Sequence, residues 1–386
     1  MSIRDAVRRF IDDEVIPAEP ALNAAQGGPP LRALTDSAKR QGLWALGHPE
    51  ELGGGGLSFR DFVLVNEHIG RSRWGQLALG TVSMQDSIML HRFGTPEQQQ
   101  RWLAPLVAGD IMPSVGLTEP DVAGSDPTLI RATARADGDQ WVIDAHKWFT
   151  TGASRAAFTT IFARTEPDGT DPHKTLSAIV VPAGTPGYEI VRVIPTMGTT
   201  HGDHCEIRLS GVRVPADHLL GERGGGFHVA QVRLGPGRIF HAMRWLGQAQ
   251  RAFELMLQRA RTRYAHGSLL GEKGEIQRYI AESAADIQAA RLLVLDAADA
   301  YDADGRARDQ IAIAKFWVAR VLHDVIDRAI QVHGALGVTA DTPLEEMYRE
   351  ARYARIYDGP DEVHRMTVAR RLLADPRRAP WLRTDD

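Results

Sequence analysis

The apolar residues of this 386-residue chain change their spacing twice, and those two changes set the order of its architecture. From Ile3 to about Gly109 they recur every three or four residues, as in Ile3, Val7, Phe10 and Ile11 and again in Phe62, Val65 and Ile69. Pro29-Pro30 and Gly53-Gly54-Gly55-Gly56 divide this helical region, and Thr95-Pro96-Glu97 supplies an N-cap, a first-turn proline and an acidic first turn. After Ile111 the period falls to two. Ile130, Ala132 and Ala134 alternate with Arg131, Thr133 and Arg135, and Cys205, Ile207 and Leu209 with Glu206, Arg208 and Ser210, which predicts strands. Beyond Gly224-Gly225-Gly226 the helical period returns over about 227 to 264, 275 to 302 and 307 to 333, then near 343 to 355 and 361 to 374, lengths that suit an antiparallel bundle. The expectation is an α+β chain with a helical domain over 1–111, a β domain over 112–224 and a helical bundle over 225–386. Asp137-Gly138-Asp139 and Pro167-Asp168-Gly169 read as turns that favour antiparallel connections.

Composition narrows the function class. The longest apolar runs, such as Ala178-Ile179-Val180-Val181, fall far short of the roughly 20 residues that span a bilayer, and charges enter every turn near the N-terminus, so neither a membrane anchor nor a secretory signal is expected. The 45 basic and 49 acidic residues are spread along the chain with no basic tract, which argues against a nucleic-acid partner. Cys205 is the only cysteine, so no intrachain disulfide or thiolate metal site is possible, and a reducing cytoplasm fits. Its alternating neighbours make it a buried strand residue. His201, His204, His228 and His241 lack ligand spacing with a supporting carboxylate, so no metal is expected.

Three segments carry chemistry. In Arg355-Ile356-Tyr357-Asp358-Gly359-Pro360-Asp361-Glu362-Val363-His364 a carboxylate follows an aromatic residue at a helix end broken by Gly and Pro. Asp358 can therefore point into a cavity, and it is the candidate base. Asp361 and Glu362 read as solvated helix-start acids favoured by the dipole. Gly116-Leu117-Thr118-Glu119-Pro120-Asp121-Val122-Ala123-Gly124-Ser125-Asp126 offers small residues, hydroxyls and backbone NH groups to a polar cofactor, with a plain surface loop as the alternative. Lys147-Trp148-Phe149-Thr150-Thr151-Gly152 could set an indole over an aromatic cofactor and a hydroxyl on a ring heteroatom; Trp beside Phe is otherwise core.

The last two segments, in this order, resemble the acyl-CoA dehydrogenase family. Pro49-Glu50-Glu51-Leu52-Gly53-Gly54, Phe93-Gly94-Thr95-Pro96-Glu97-Gln98, Val212-Arg213-Val214-Pro215 and Gln331 through Gly337 extend the likeness along nearly the whole chain. The resemblance implies a helical domain, a middle antiparallel β domain and a C-terminal four-helix bundle, assembled as a homodimer or homotetramer around FAD. It implies an acyl-CoA substrate in fatty-acid β-oxidation and an electron-transfer flavoprotein as acceptor. Carried over residue by residue, Leu117, Thr118, Ser125, Trp148 and Thr150 correspond to flavin-contacting positions, and Arg263 to an arginine that reaches a neighbouring subunit's FAD pyrophosphate, with a solvated helix-end cation as the alternative. Gln331, Gly334 and Gly337 correspond to residues that meet the adenosine portion, while His266 and Ala335 depart from the usual Phe and Gly. Ser125, Arg238, Tyr357 and Gly359 correspond to the substrate side, Arg238 being otherwise a structural ion-pair partner.

In that family a carboxylate removes the α-proton of the thioester while hydride leaves the β-carbon for flavin N5, and a backbone NH beside the base steadies the enolate. Asp358 stands where most members have Glu, and Gly237 occupies the alternative base position. A base displaced by about 1 Å can cost on the order of 10²-fold in rate. The combination of Arg233 through Ile239, Thr118 through Ala123 and Asp358 through His364 resembles a subgroup with an Asp base, fused in animals to a kinase-like domain. The alternatives are a nitroalkane-oxidase-like enzyme and a catalytically silent flavin-binding subunit of a hetero-oligomeric dehydrogenase. Met84, Gln85, Asp86, Ile88 and Met89 fall where the family lines its acyl pocket, and an inward Asp86 would suit a polar acyl group.

Overall fold

The computed structural model describes residues 2–198, 203–305 and 307–379; His201 and residues 380–386 of the expected bundle lie outside them. The chain forms two compact units, residues 1–47, 55–81 and 235–386 making one and residues 48–54 and 82–234 the other.

The first unit is helical. Its N-terminal part holds α1 (Ile3–Arg9), α2 (Ile16–Ala24), α3 (Gly28–Arg40), α4 (Phe59–Ile69) and α5 (Gly75–Ala78). Ser2 and Ser58 cap α1 and α4 by accepting from the backbone NH of Asp5 and Asp61. Val7, Ile11, Phe62, Val65 and Ile69 are buried, so the three- and four-residue spacing does mark the inner faces.

The second unit opens with α6 (Met84–Phe93), α7 (Pro96–Gln98) and α8 (Ala104–Ala108), where Thr95 and Gln98 form a reciprocal capping box and Gly109 ends α8 in a left-handed turn. Among the described residues eight strands follow: β1 (Pro113–Gly116), β2 (Thr133–Asp137), β3 (Gln140–Thr151), β4 (Phe158–Arg164), β5 (Leu176–Pro182), β6 (Tyr188–Val193), β7 (His204–Pro215) and β8 (Leu219–Leu220). They make one sheet in the order β6-β7-β3-β2-β4-β5-β8, with β1 beside β4. Neighbours pair antiparallel except at β4, which takes β1 and the single pair Thr133↔Arg164 of β2 in parallel. Turn signals report connections between consecutive strands only, so this long return from β1 to β4 left no local trace. The strands β4 and β5 are buried almost throughout, Cys205 is buried on β7, and β3 is bulged between Lys147 and Thr150.

Helix α9 (Gly226–Thr262) leaves the second unit after Leu234 and continues in the first. A small hairpin, β9 (Tyr264–Ala265) and β10 (Ser268–Leu269), precedes α10 (Gly274–Asp304), α11 (Arg308–His333), α12 (Leu344–Ala354) and α13 (Asp361–Ala374). In this unit α11 packs against α10, α12 and α13. Helices α4 and α9 approach at Gly70 and Gly247, where an added Cβ would collide with the carbonyls of Arg244 and Glu67. Phe59 and Phe62 meet Phe240 of α9 at ring distances of 5.3 and 5.1 Å. Because backbone blocks the Cβ, Gly247→Ala is expected to lower stability by about 2 kcal/mol, read as a fall in the urea midpoint at unchanged m.

Candidate active site

The Asp358 loop is built to hold an unfavourable backbone. Helix α12 ends at Ala354, Asp358 sits at φ 56° and Gly359 at φ 97°, and Pro360 is the N-cap of α13. Two successive left-handed residues reverse the chain, and Asp is among the few side chains that tolerate that region. Three basic groups tether the carbonyls. Arg238 Nε and His364 Nε2 donate to the Asp358 carbonyl at 2.8 and 3.1 Å, and Lys315 Nζ donates to the Gly359 carbonyl at 2.6 Å. The Asp361 NH closes the loop on the Arg355 carbonyl at 3.1 Å. Trp245 Nε1 donates to the Tyr357 hydroxyl at 2.8 Å, and burial, followed by the charge of Asp358, pushes that phenol up.

The side chain of Asp358 is mostly buried, with His241 Nε2 3.4 Å from its Oδ2. Its charge is felt by three cations that burial works against. Burial lowers Arg238, brings Arg244 to about 10 and brings Lys315 to about 8. A carboxylate fixed on a tethered loop among such groups can take up a proton from a molecule placed against it. Burial, reinforced by Arg238, brings His364 to about 4, so this ring is neutral at pH 7 and its Nε2 proton points at the Asp358 carbonyl. Since the unfolded chain takes up that proton near 6.5, stability falls as pH drops from 6.5 toward 4, by roughly 3 kcal/mol from this group. Chemical denaturation across that range is expected to show the loss in the wild type and a flatter slope in His364→Gln.

Asp361 departs from expectation. It is fully buried, accepting from Arg355 Nε at 2.8 Å with Lys315 and Arg365 at 3.9 and 3.8 Å, whereas Glu362 is exposed as expected. A helix dipole favours acids anywhere in the first turn and cannot say which one faces inward.

In the second unit, the segment after β1 is sewn to β3. Thr118 Oγ1 donates to the Trp148 carbonyl at 2.7 Å, and the Trp148 NH donates to the Thr118 carbonyl at 3.1 Å. Lys147, wholly buried, donates to the Leu117 carbonyl at 3.0 Å and to Glu119 at 2.8 Å, and Glu119 accepts the NH groups of Arg131 and Ala132. Burial brings Lys147 to about 8; burial also pushes Glu119 up, but Lys147 and the backbone donors outweigh it and hold that carboxyl low. Leu117, Thr118 and Trp148 are thus brought together, with Ser125 exposed on the loop and an added Cβ at Gly124 striking Thr118. The Thr150 hydroxyl is buried and has no hydrogen-bond partner among the described residues, which fits a group that accepts or donates one there. Phe149 is exposed at φ 49°, unlike the core residue that Trp beside Phe suggests, because a bulge shifts the alternation that a sequence displays, and Thr151 meets His204 Nδ1 at 2.8 Å.

Other candidates lie on the first unit. Arg263 is exposed just past α9, and His266 and Gly267 take positive φ at the β9–β10 turn. Gln331 and Gly334 are exposed at the end of α11, which Gly334 stops at φ 65°; Gly337 is buried, where an added Cβ would meet the Ile330 carbonyl at 2.7 Å. Internal packing alone therefore requires Gly337. In the second unit Asp86 is buried against Arg233 at 3.1 Å, so its charge is already matched. Of the histidines, His204 meets Thr151, His228 packs edge-on against Phe93 and His241 faces Asp358. Arg238, His241 and Trp245 follow one another by three and four residues on α9, a signal that could have found His241. No helix among the described residues is long and apolar enough to cross a membrane.

Models of the acyl-CoA dehydrogenase N-terminal, middle and C-terminal domains match residues 1–110, 114–212 and 224–373. The chain is 45% identical to the probable acyl-CoA dehydrogenase FadE2 of Mycobacterium tuberculosis, over 94% of this chain and 90% of that one. It is 37% identical to acyl-CoA dehydrogenase family member 11 of Rattus norvegicus, covering 96% of this chain but only 50% of the rat protein. The crystal structure of an acyl-CoA dehydrogenase from Geobacillus kaustophilus superposes with a TM-score of 0.85 at 28% identity, over 96% of each chain. With helices, sheet and helices in that order, and three domain models covering most of its length, the chain belongs to the acyl-CoA dehydrogenase family of oxidoreductases.

Proposed function

We propose that the protein catalyses the α,β-dehydrogenation of an acyl-CoA thioester to the trans-2-enoyl-CoA, with Asp358 as the base. The tethered Asp358 loop carries this reading: a carboxylate in a left-handed turn, its backbone clamped by Arg238, His364 and Lys315. FAD suits the second unit's residues, since Leu117, Thr118 and Trp148 form one hydrogen-bonded surface and the Thr150 hydroxyl lacks a partner among the described residues, while Ser125, Arg263, Gln331, Gly334 and Gly337 are its further proposed contacts. When bound, the flavin supplies the acceptor for the β-hydride. Asp358 takes the α-proton, and its carboxylate is prevented from drifting because the loop cannot rotate without breaking three charged or imidazole tethers. Tyr357 and Arg238 flank it, and the NH beside the base, at Gly359, is proposed to steady the enolate oxygen; Ser125, on the second unit, is a separate proposal for a substrate contact. Lys315 keeps the Gly359 peptide oriented through its carbonyl. An electron-transfer flavoprotein as acceptor, a homodimer or homotetramer, and a cytoplasmic location complete the proposal.

The experiment is anaerobic mixing of the FAD-loaded protein with a panel of acyl-CoA thioesters, and separately with nitroalkane followed by oxygen. Flavin bleaching by at least one acyl-CoA, with an enoyl product, is expected. Turnover of nitroalkane alone, or FAD binding with no bleaching by any thioester, sinks the dehydrogenase reading.

A further inference from the structure

One imidazole stands against the Asp358 carboxylate. His241 Nε2 is 3.4 Å from Asp358 Oδ2, and His241 Nδ1 is 2.8 Å from Arg244 Nη2. Arginine has only donors, so Nδ1 accepts that bond and the ring proton sits on Nε2, the nitrogen nearer the carboxylate, at ion-pair distance from Oδ2 but outside hydrogen-bond geometry. Arg244 is fixed in turn, donating from Nη1 to Asn66 Oδ1 at 3.2 Å, and Asn66 Nδ2 donates to the Phe62 carbonyl at 2.7 Å. Trp245 stacks on the imidazole at 6.1 Å and 26°, and Tyr357 meets it edge-on at 5.1 Å.

We infer that His241 is a positioning residue: its Nε2–H, aimed by Arg244, engages Asp358 Oδ2 and selects the carboxylate orientation in which the other oxygen receives the proton. This rests on the reading of Asp358 as base. A short Asp side chain makes such selection matter, since a base displaced by about 1 Å loses on the order of 10²-fold in rate. The groups that act on or face the carboxylate are Arg238, His241 and Arg244 from α9, Lys315 from α11, and Tyr357 and His364 from its own segment. Arg238, His364 and Lys315 hold backbone carbonyls, so replacing His241 leaves the loop tethered.

The test compares His241→Gln, His241→Asn and His241→Phe as FAD-loaded protein. A Gln amide reaches the Nε2 position, an Asn amide only the Nδ1 position, and Phe keeps the ring without a donor. Gln is expected to keep flavin reduction within about fivefold of wild type, with Asn and Phe slower by about 10²-fold and acyl-CoA affinity moved by less than about threefold. The acid limb of the pH–rate profile moves up by about one unit in Asn and Phe only. Spectra of the apoprotein carrying ¹⁵N-histidine are expected to show His241 protonated on Nε2, with that signal shifted in Asp358→Asn. Phe matching or exceeding Gln, Asn matching Gln, or a proton on Nδ1 overturns the inference; should Phe not fold, Gln against Asn decides. If Asp358→Asn retains flavin reduction, the base reading fails by itself, whereas an inactive Asp358→Asn beside wild-type rates and acid limbs in all His241 variants removes only the role of His241.

Discussion

Asp358→Asn is expected to slow flavin reduction by acyl-CoA about 10³-fold or more while leaving the fold and the flavin content close to wild type. The fold should survive because Asn matches Asp in shape and tolerates the left-handed region that φ 56° demands, which Ala does not. The tethers should survive as well, since Arg238, His364 and Lys315 hold main-chain carbonyls and none needs the side chain to be charged. What disappears is the ability to accept a proton, and a positioned general base contributes about 10² to 10⁴ in rate. Asp358→Glu is the complementary variant. It restores a carboxylate but lengthens the arm by a methylene on a loop that cannot retreat, so an intermediate rate is expected, set by misplacement. Anaerobic stopped-flow traces at saturating thioester measure both, and wild-type bleaching in Asp358→Asn would remove Asp358 as the base.

The architecture was legible because burial imposes a period, and helix and strand periods differ. Ile3, Val7 and Ile11 and the 205–210 alternation each declared their element locally. The pairing of β1 with β4 was not legible, since it joins strands separated by the β2–β3 hairpin and leaves nothing in the spacing of either. The same division runs through the site. Asp358 was visible because Gly and Pro mark a chain reversal next to it. Its neighbours Lys315 and His241 were not, because they arrive through helix faces 43 and 117 residues away, while His364, six residues on, stood in the segment without a sign of its bond to the Asp358 carbonyl. Asp361 was assigned to solvent for the same reason: the burial of a first-turn acid is decided by Lys315 and Arg355, not by its own helix.

Asp361→Asn is expected to lower stability by about 4 kcal/mol at pH 7, because removing one partner of a buried ionic cluster leaves the others uncompensated. Asp361 is buried with Arg355 Nε at 2.8 Å and the wholly buried Lys315 at 3.9 Å, and among the groups acting on Lys315 it opposes burial most strongly. The sign with pH follows. Burial brings Lys315 from 10.5 to about 8, so between those values the unfolded chain binds more protons and this lysine's contribution to stability rises with pH. Without Asp361 the ammonium is still harder to keep, and the rise begins below pH 8, so the destabilisation shrinks as the solution becomes alkaline. Lys315→Met removes the rise, and the double variant should lose less than the sum of the single ones, because neither orphaned charge remains. Urea midpoints from pH 6.5 to 9.5 measure all of this. A loss below about 1 kcal/mol, or one that grows with pH, would show that Asp361 does not compensate Lys315. The same lysine holds the Gly359 carbonyl at 2.6 Å, so Asp361→Asn also loosens the turn that carries Asp358. Slower flavin reduction at unchanged thioester affinity should accompany the lost stability, joining the buried cluster to the placement of the base.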